Sequence, residues 1–214
     1  MPDLARALTV YSAAAEYVER AGLHSEVQWQ RDVSARSFTE SQLLAETAWV
    51  VLCSGFREST VRKVFGYLSL CFCDWDSAAA IVASYPHCKV TALRGFRNER
   101  KVDAIVAAAR HIHSLGFMTV KNAILADPIS ELQNFRFIGP TTAWHLAKNL
   151  GLDVVKPDRH LVRAASNLGY STAFDLCQAI ATARCEQPKV VDLILWRYLA
   201  DASADQRRRI FAAV

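Results

Sequence analysis

FRFIGPTTAWHLAKNLGLDVVKPDRHLVRAA, residues 135–165, joins a glycine-proline break, two threonines, a helix-like run and a lone acid flanked by Lys156, Arg159 and His160. Just before it, DPISELQNFRF is a short helix with Pro128 near its start. IGP is a tight turn, and TTAWHLAKNLG is a second short helix stopped by Gly151. Proline suits a first helical turn because its missing N–H has no partner there, and glycine accepts the backbone that follows a last turn. The spacing therefore predicts a helix-hairpin-helix over residues 128–151. PDRHLVRAASNLG predicts a further helix, with Pro157 and Asp158 at the end where an acid meets the positive pole of the helix dipole.

Working outward, most of the other long segments also have helical character. Residues 4–22 form an alanine-rich helix closing at Gly22, and SFTESQLLAETAWVVLCSGF offers a capping threonine or serine before an almost wholly apolar helix that stops at Gly55. Such a helix belongs in the centre of a core. RESTVRKVFGYLSLCF resumes helically, and DWDSAAAIVASY opens on a capping aspartate and ends near Pro86. After the turn RGFRNERK, the run KVDAIVAAARHIHSLG sets Val102, Ile105, Val106, Ala109 and Ile112 on one stripe and ends on Gly116. TAFDLCQAIATAR and PKVVDLILWRYLA supply two more helices. Nothing repeats, and no low-complexity linker interrupts the chain. The fold class expected is all-α.

The bulk properties narrow the function. With 214 residues and 52% hydrophobic content, the chain can bury a substantial core. A formal charge of +4 and a pI near 8.8 exclude a histone-like polycation but suit a polyanionic partner if the arginines share a face. No segment approaches the roughly 18 to 20 uninterrupted apolar residues that span a bilayer, and the N-terminus lacks a signal pattern, so a cytoplasmic, nucleoid-associated protein is expected. The six cysteines (53, 71, 73, 88, 177 and 185) lack the short paired spacings of a zinc or iron-sulfur site. Most are expected to be buried thiols, with no metal and no cofactor.

A glycine hairpin running into a helix N-terminus offers unpaired backbone N–H groups at a positive dipole end, which is a site for phosphate. Gly139, Pro140, Thr141 and Thr142 make that end here. The same pattern also reads as an ordinary helix-turn-helix corner. The acid seventeen residues after Thr141 discriminates between the two. IGPTTA (138–143) followed by PDRHLVR (157–163) resembles the helix-hairpin-helix DNA glycosylase superfamily, marked by a hairpin, a T-A opening of its second helix, and an aspartate entering the next helix before histidine and arginine. LLAETAWVVLCSGFREST resembles that superfamily's buried helix and the loop that enters DNA, and GFRNERKVDAIVAAA its glycine-turn-helix. The resemblance covers roughly residues 38–200.

What the resemblance implies is a two-lobed helical fold with its active-site cleft between the lobes. Residues 38–115 would form one lobe, and residues 1–37 with 116–214 the other, which would carry the hairpin. The activity implied is removal of a modified base from double-stranded DNA by a monomeric enzyme, in repair or against modified foreign DNA. Phe137 replaces the usual first hairpin glycine, as in the F-x-F-V-G hairpin of 3-methyladenine DNA glycosylases. Thr141 stands where bifunctional members carry a Schiff-base lysine, so no covalent imine and no strand cleavage by that route is implied. The four-cysteine cluster of the endonuclease III branch is also missing.

On this reading Asp158 is the catalytic carboxylate, stabilising the positive charge that builds on the sugar and orienting or deprotonating water. The plainer reading makes it the cap of its own helix. Lys148, Lys156, Arg159 and Arg163 are candidate phosphate contacts, with Lys156 the alternative lyase nucleophile and His160 a support for the acid. A flipped base needs a pocket. Glu46, Trp49, Val50 and Cys53 share one helical face at i, i+3, i+4 and i+7, and Trp144 and His145 lie one turn beyond Thr141. Each reads equally as plain core except Glu46, an acid in an apolar helix that needs a partner or a task. Phe56 or Arg57, after Gly55, would fill the gap left by the flipped base. The other readings are a glycosylase/lyase using Lys156 and a non-catalytic helix-hairpin-helix DNA-binding module.

Overall fold

A computed structural model of the chain describes residues 1–203, 206, 210 and 211. The remaining residues of the lobe expected to run to 214 lie outside the described residues. Among the described residues every regular element is helical, so the protein is all-α. None of those helices is long and apolar enough to cross a membrane. The chain divides into two compact units, Met1–Ser34 with Gly151–Val214, and Ala35–Leu150.

In the first unit, α1 (Leu4–Arg20) packs on α12 (Ala173–Arg184) and α13 (Pro188–Asp201), while α2 (His24–Asp32) and α11 (Arg159–Asn167) also lie against α13. Ala7, Val10, Ala14 and Val18 fall three or four residues apart, one helical stripe, and bury against Val190, Val191, Ile194 and Leu195. Asp3 caps α1 through the Arg6 amide at 3.0 Å, and Thr172 caps α12 through the Asp175 amide at 3.0 Å. α1 ends at Arg20, two residues short of the positive-φ Gly22. The largely polar α2 carried no apolar stripe to announce it in the sequence.

The second unit is built on α3 (Glu40–Cys53) and α7 (Glu99–Leu115), which pack on each other. Thr39 is the cap of α3: Gln42 N reaches its hydroxyl at 3.2 Å while the Gln42 side chain accepts the Thr39 amide at 2.9 Å. Val102, Ile105, Val106, Ala109 and Ile112 are all buried, as their spacing requires. α4 (Glu58–Cys71), α5 (Ala78–Ser84) and α6 (His87–Gly95) follow α3, and α8 (Phe117–Ala126), α9 (Pro128–Leu132) and α10 (Pro140–Asn149) follow α7. α6 and α8 carry no clear apolar stripe, and α8 begins directly after Gly116. The aspartates of DWDS do not cap α5; Ser77 does, accepting the Ala80 amide at 3.1 Å, and Glu40 accepts Ala78 N at 2.8 Å.

Residues 116–150 thus belong with 35–115, whereas the sequence expectation placed them with the termini. The reason is packing: α7 continues into α8, α9 lies against α8 and α10, and α10 lies against α3. The thiols also differ from expectation. All six cysteines are free, but only Cys71, Cys88 and Cys177 are buried. Cys73 opens a left-handed turn with Asp74 and Trp75 (φ 56, 50 and 60°), a conformation costing about 1–2 kcal/mol per residue. Stacking of Trp75 on Phe72 at 5.3 Å and a 2.8 Å bond from its indole N–H to Ser69 Oγ offset that cost.

Candidate functional site

Asp158 sits at the end of a non-helical segment fastened to the first turns of α13. Lys189 N donates to Asp153 Oδ1 at 3.0 Å, and Lys156 N donates to Asp192 Oδ2 at 2.6 Å. The Lys189 ammonium, whose pKa burial pushes down, donates to the carbonyls of Val33 (2.5 Å) and Gly151 (3.3 Å). Asp192 is buried, with 1% of its surface exposed. Sequence reasoning missed these anchors, although a lysine and an acid at the head of the apolar run PKVVDLILW are the same signal that singled out Glu46.

Asp158 caps α11 in fact: Oδ1 accepts both His160 N at 2.8 Å and Leu161 N at 3.0 Å. Both bonds use one oxygen. Oδ2 of this half-buried carboxylate has no hydrogen-bond partner among the described residues, so capping leaves an acceptor to act elsewhere. Arg159 and Arg163 are exposed, Lys156 and His160 half-buried, and Arg159 Nε lies 3.2 Å from His160 Nε2.

In the second unit the hairpin turns at Phe137, whose φ of 67° is the left-handed backbone for which glycine is the usual choice. Phe135 and Ile138 are buried on either side of it. The clamp differs from expectation at two points. Gly139 N–H is already used within the chain, donating to Thr142 Oγ1 at 2.7 Å, and Pro140 has no N–H. The amides left for an anion are those of Thr141 and Thr142. Lys148 is buried (7% exposed) and so is no outward phosphate contact. The reason is its place on α10, one turn beyond Trp144 and His145, which are themselves half-buried.

On α3, Glu46, Trp49 and Cys53 are half-buried, whereas Val50 is wholly core. Glu46 Oε2 accepts the Asn149 side-chain N–H at 2.7 Å, and burial pushes its carboxyl above the usual range despite that bond. Trp49 meets Phe65 edge-on at 5.1 Å with the Arg62 guanidinium 5.4 Å from its ring. Burial pushes the Cys53 thiol up to about 11, so it is no thiolate nucleophile at neutral pH.

Where α3 ends, the ammonium of Lys101 donates to the carbonyls of Val51, Leu52 (3.0 Å) and Ser54 (2.5 Å). Last-turn carbonyls have no partner within their own helix, and a buried cation supplies one here. Burial lowers the Lys101 pKa, and the rings of Phe56 and Phe137 lie 5.1 and 5.6 Å from its nitrogen. Phe56 and Arg57 are both exposed. Lys101 gave no sign in the sequence beyond its place at the head of an amphipathic helix.

No family model matches the chain, and neither a curated protein nor a solved structure does.

Proposed function

We propose that this chain is a monofunctional DNA N-glycosylase of the helix-hairpin-helix kind, which flips a modified base out of duplex DNA and hydrolyses its N-glycosidic bond. The observation that carries the reading is the division of labour within Asp158. Oδ1 fixes the carboxylate as a helix cap, and Oδ2 is left to face a sugar. A carboxylate held rigidly on a fastened segment stabilises an oxocarbenium-like transition state without reorganising during the reaction. Water is the nucleophile, and no cofactor takes part. Thr141 offers no amine for an imine, so the product is an intact strand bearing an abasic site. Glu46 and Trp49 are the base-reading candidates, an acid for a polar edge and a ring for stacking.

The test is incubation with a panel of duplexes, each holding one modified base. Supporting the reading would be strand breaks that appear only after alkali, on at least one duplex, with no borohydride-trapped adduct. A trapped adduct lost in Lys156→Ala would assign a lyase instead. Tight duplex binding without excision anywhere on the panel would leave a DNA-binding module.

A further inference from the structure

In the unit 35–150 arginine stands next to phenylalanine at Phe56-Arg57, at Phe96-Arg97 and in the run Phe135-Arg136-Phe137. Phe56 and Phe137, far apart in sequence, come together at Lys101. Phe56 packs on Phe96 at 5.4 Å, and the rings of Phe56 and Phe137 both lie against the one Lys101 nitrogen. Phe96 is buried and serves as the floor, while Phe56 and Phe137 are 41% and 40% exposed. Two large apolar rings left in water, one on left-handed backbone, mark a surface kept for a partner.

Charge identifies that partner. Arg57, Arg97 and Arg136 are exposed and have no ion pair among the described residues. Two acids nearby in sequence are already engaged, Glu58 with Arg62 and Glu99 with Lys89. Unpaired guanidinium groups interleaved with exposed rings fit a strand that offers phosphates and unstacked bases together. The ammonium beneath the rings, tied to three carbonyls, holds both in place by cation–π attraction.

We propose that Phe56 and Phe137 act as a pair of stacking residues filling the vacant position in a DNA base stack, with Arg57, Arg97 and Arg136 on the flanking phosphates. The proposal rests on the DNA partner of the glycosylase reading and not on its chemistry. It adds a second ring, on the hairpin, to the loop residue that the sequence suggested.

The experiment measures affinity of the full chain by fluorescence anisotropy for an intact duplex and for the same duplex carrying one tetrahydrofuran abasic analogue, which cannot be cleaved. Wild type is expected to favour the analogue duplex. Phe56→Ala and Phe137→Gly should each lower that preference about tenfold or more, the scale of one stacked base. Phe137→Gly suits the left-handed backbone, so its Tm should not fall and lost binding is not misfolding. Phe137→Trp should keep the preference. Because both rings serve one gap, the double variant should lose less than the product of the single losses. Gln at any of the three arginines should weaken both duplexes alike. An absent wild-type preference, or one untouched by Phe137→Gly, overturns the proposal. Excision failing while the preference persists would reject the glycosylase reading alone; excision persisting with Phe137→Gly neutral would reject this one alone.

Discussion

The Asn149 side chain donates to Glu46 Oε2 across 2.7 Å, and the bond does not offset what burial costs the acid. Burial raises the carboxyl and the Asn149 N–H lowers it, with burial the larger effect. A carboxyl whose folded pKa exceeds its unfolded one favours the fold when protonated. That contribution is complete below the unfolded value near 4.5 and is lost as pH rises through the folded value. Above the folded value the ionised acid is therefore held against stability, as residues serving function rather than folding often are.

Glu46→Gln keeps an oxygen for the Asn149 N–H and removes the charge. At pH 7.5 the variant should melt a few degrees above wild type, each kcal/mol being worth about 2–4 °C at this size. The gain should shrink as pH falls toward 4. Melting curves across that range decide it, and a gain independent of pH would show that charge burial is not its source.

Asp158→Asn and Asp158→Ala separate the two tasks of that residue. Asparagine retains an oxygen for the His160 and Leu161 amides, so its stability should match wild type, whereas alanine should lose about 1 kcal/mol. Excision should collapse in both by several orders of magnitude, because only the carboxylate stabilises the charged sugar. Near-wild-type excision by a folded Asn variant would reduce Asp158 to a cap.

Lys101→Met asks which of two opposed effects is larger. Removing a buried ammonium relieves its desolvation, but it strands the carbonyls of Val51, Leu52 and Ser54. A buried acceptor left unmade costs about 1–3 kcal/mol. Three of them exceed the relief, so the variant should be less stable by at least about 2 kcal/mol in chemical denaturation. Because burial depresses the lysine, wild-type stability gains as pH climbs through the folded value toward 10.5, and the deficit should widen there. Equal stability of the two proteins would mean that the ammonium is an isolated burden.

What the sequence disclosed and what it hid differ in a physical way. Thr39 and Gln42 advertise a capping box, the stripe from Val102 to Ile112 fixes which face of α7 is core, and Pro157-Asp158 marks the start of α11, all within one or two helical turns. The anchors act at a distance. Lys101 reaches a carbonyl 50 residues away, and Asp192 an amide 36 residues away. Their partners are backbone atoms, which no side-chain pattern records. Gly139 is the intermediate case: a threonine three residues on was in view, but reading it as the acceptor for the glycine amide required the turn geometry. Phe137 was read as a substitution in a hairpin, and only folding brings it beside Phe56 on Lys101.

The cations around the acid and the hairpin can be sorted in one titration. If DNA binding is led by phosphate neutralisation, log affinity falls linearly with log salt, and each lost contact flattens the slope by about 0.9 on duplex DNA. Arg159 and Arg163 are exposed on α11, so Gln at either should flatten the slope by about one unit and weaken intact and modified duplexes alike. Lys148 stands in the same sequence neighbourhood and carries the same charge, yet it is 7% exposed. A buried ammonium releases no condensed counterion from DNA, so Lys148→Gln should leave the slope where wild type has it, whatever it does to the melting temperature. The comparison thus tests burial itself as the sorting rule. A slope flattened equally by all three substitutions would place Lys148 on the DNA and refute the division drawn between them, and a slope moved by none would remove α11 from the interface.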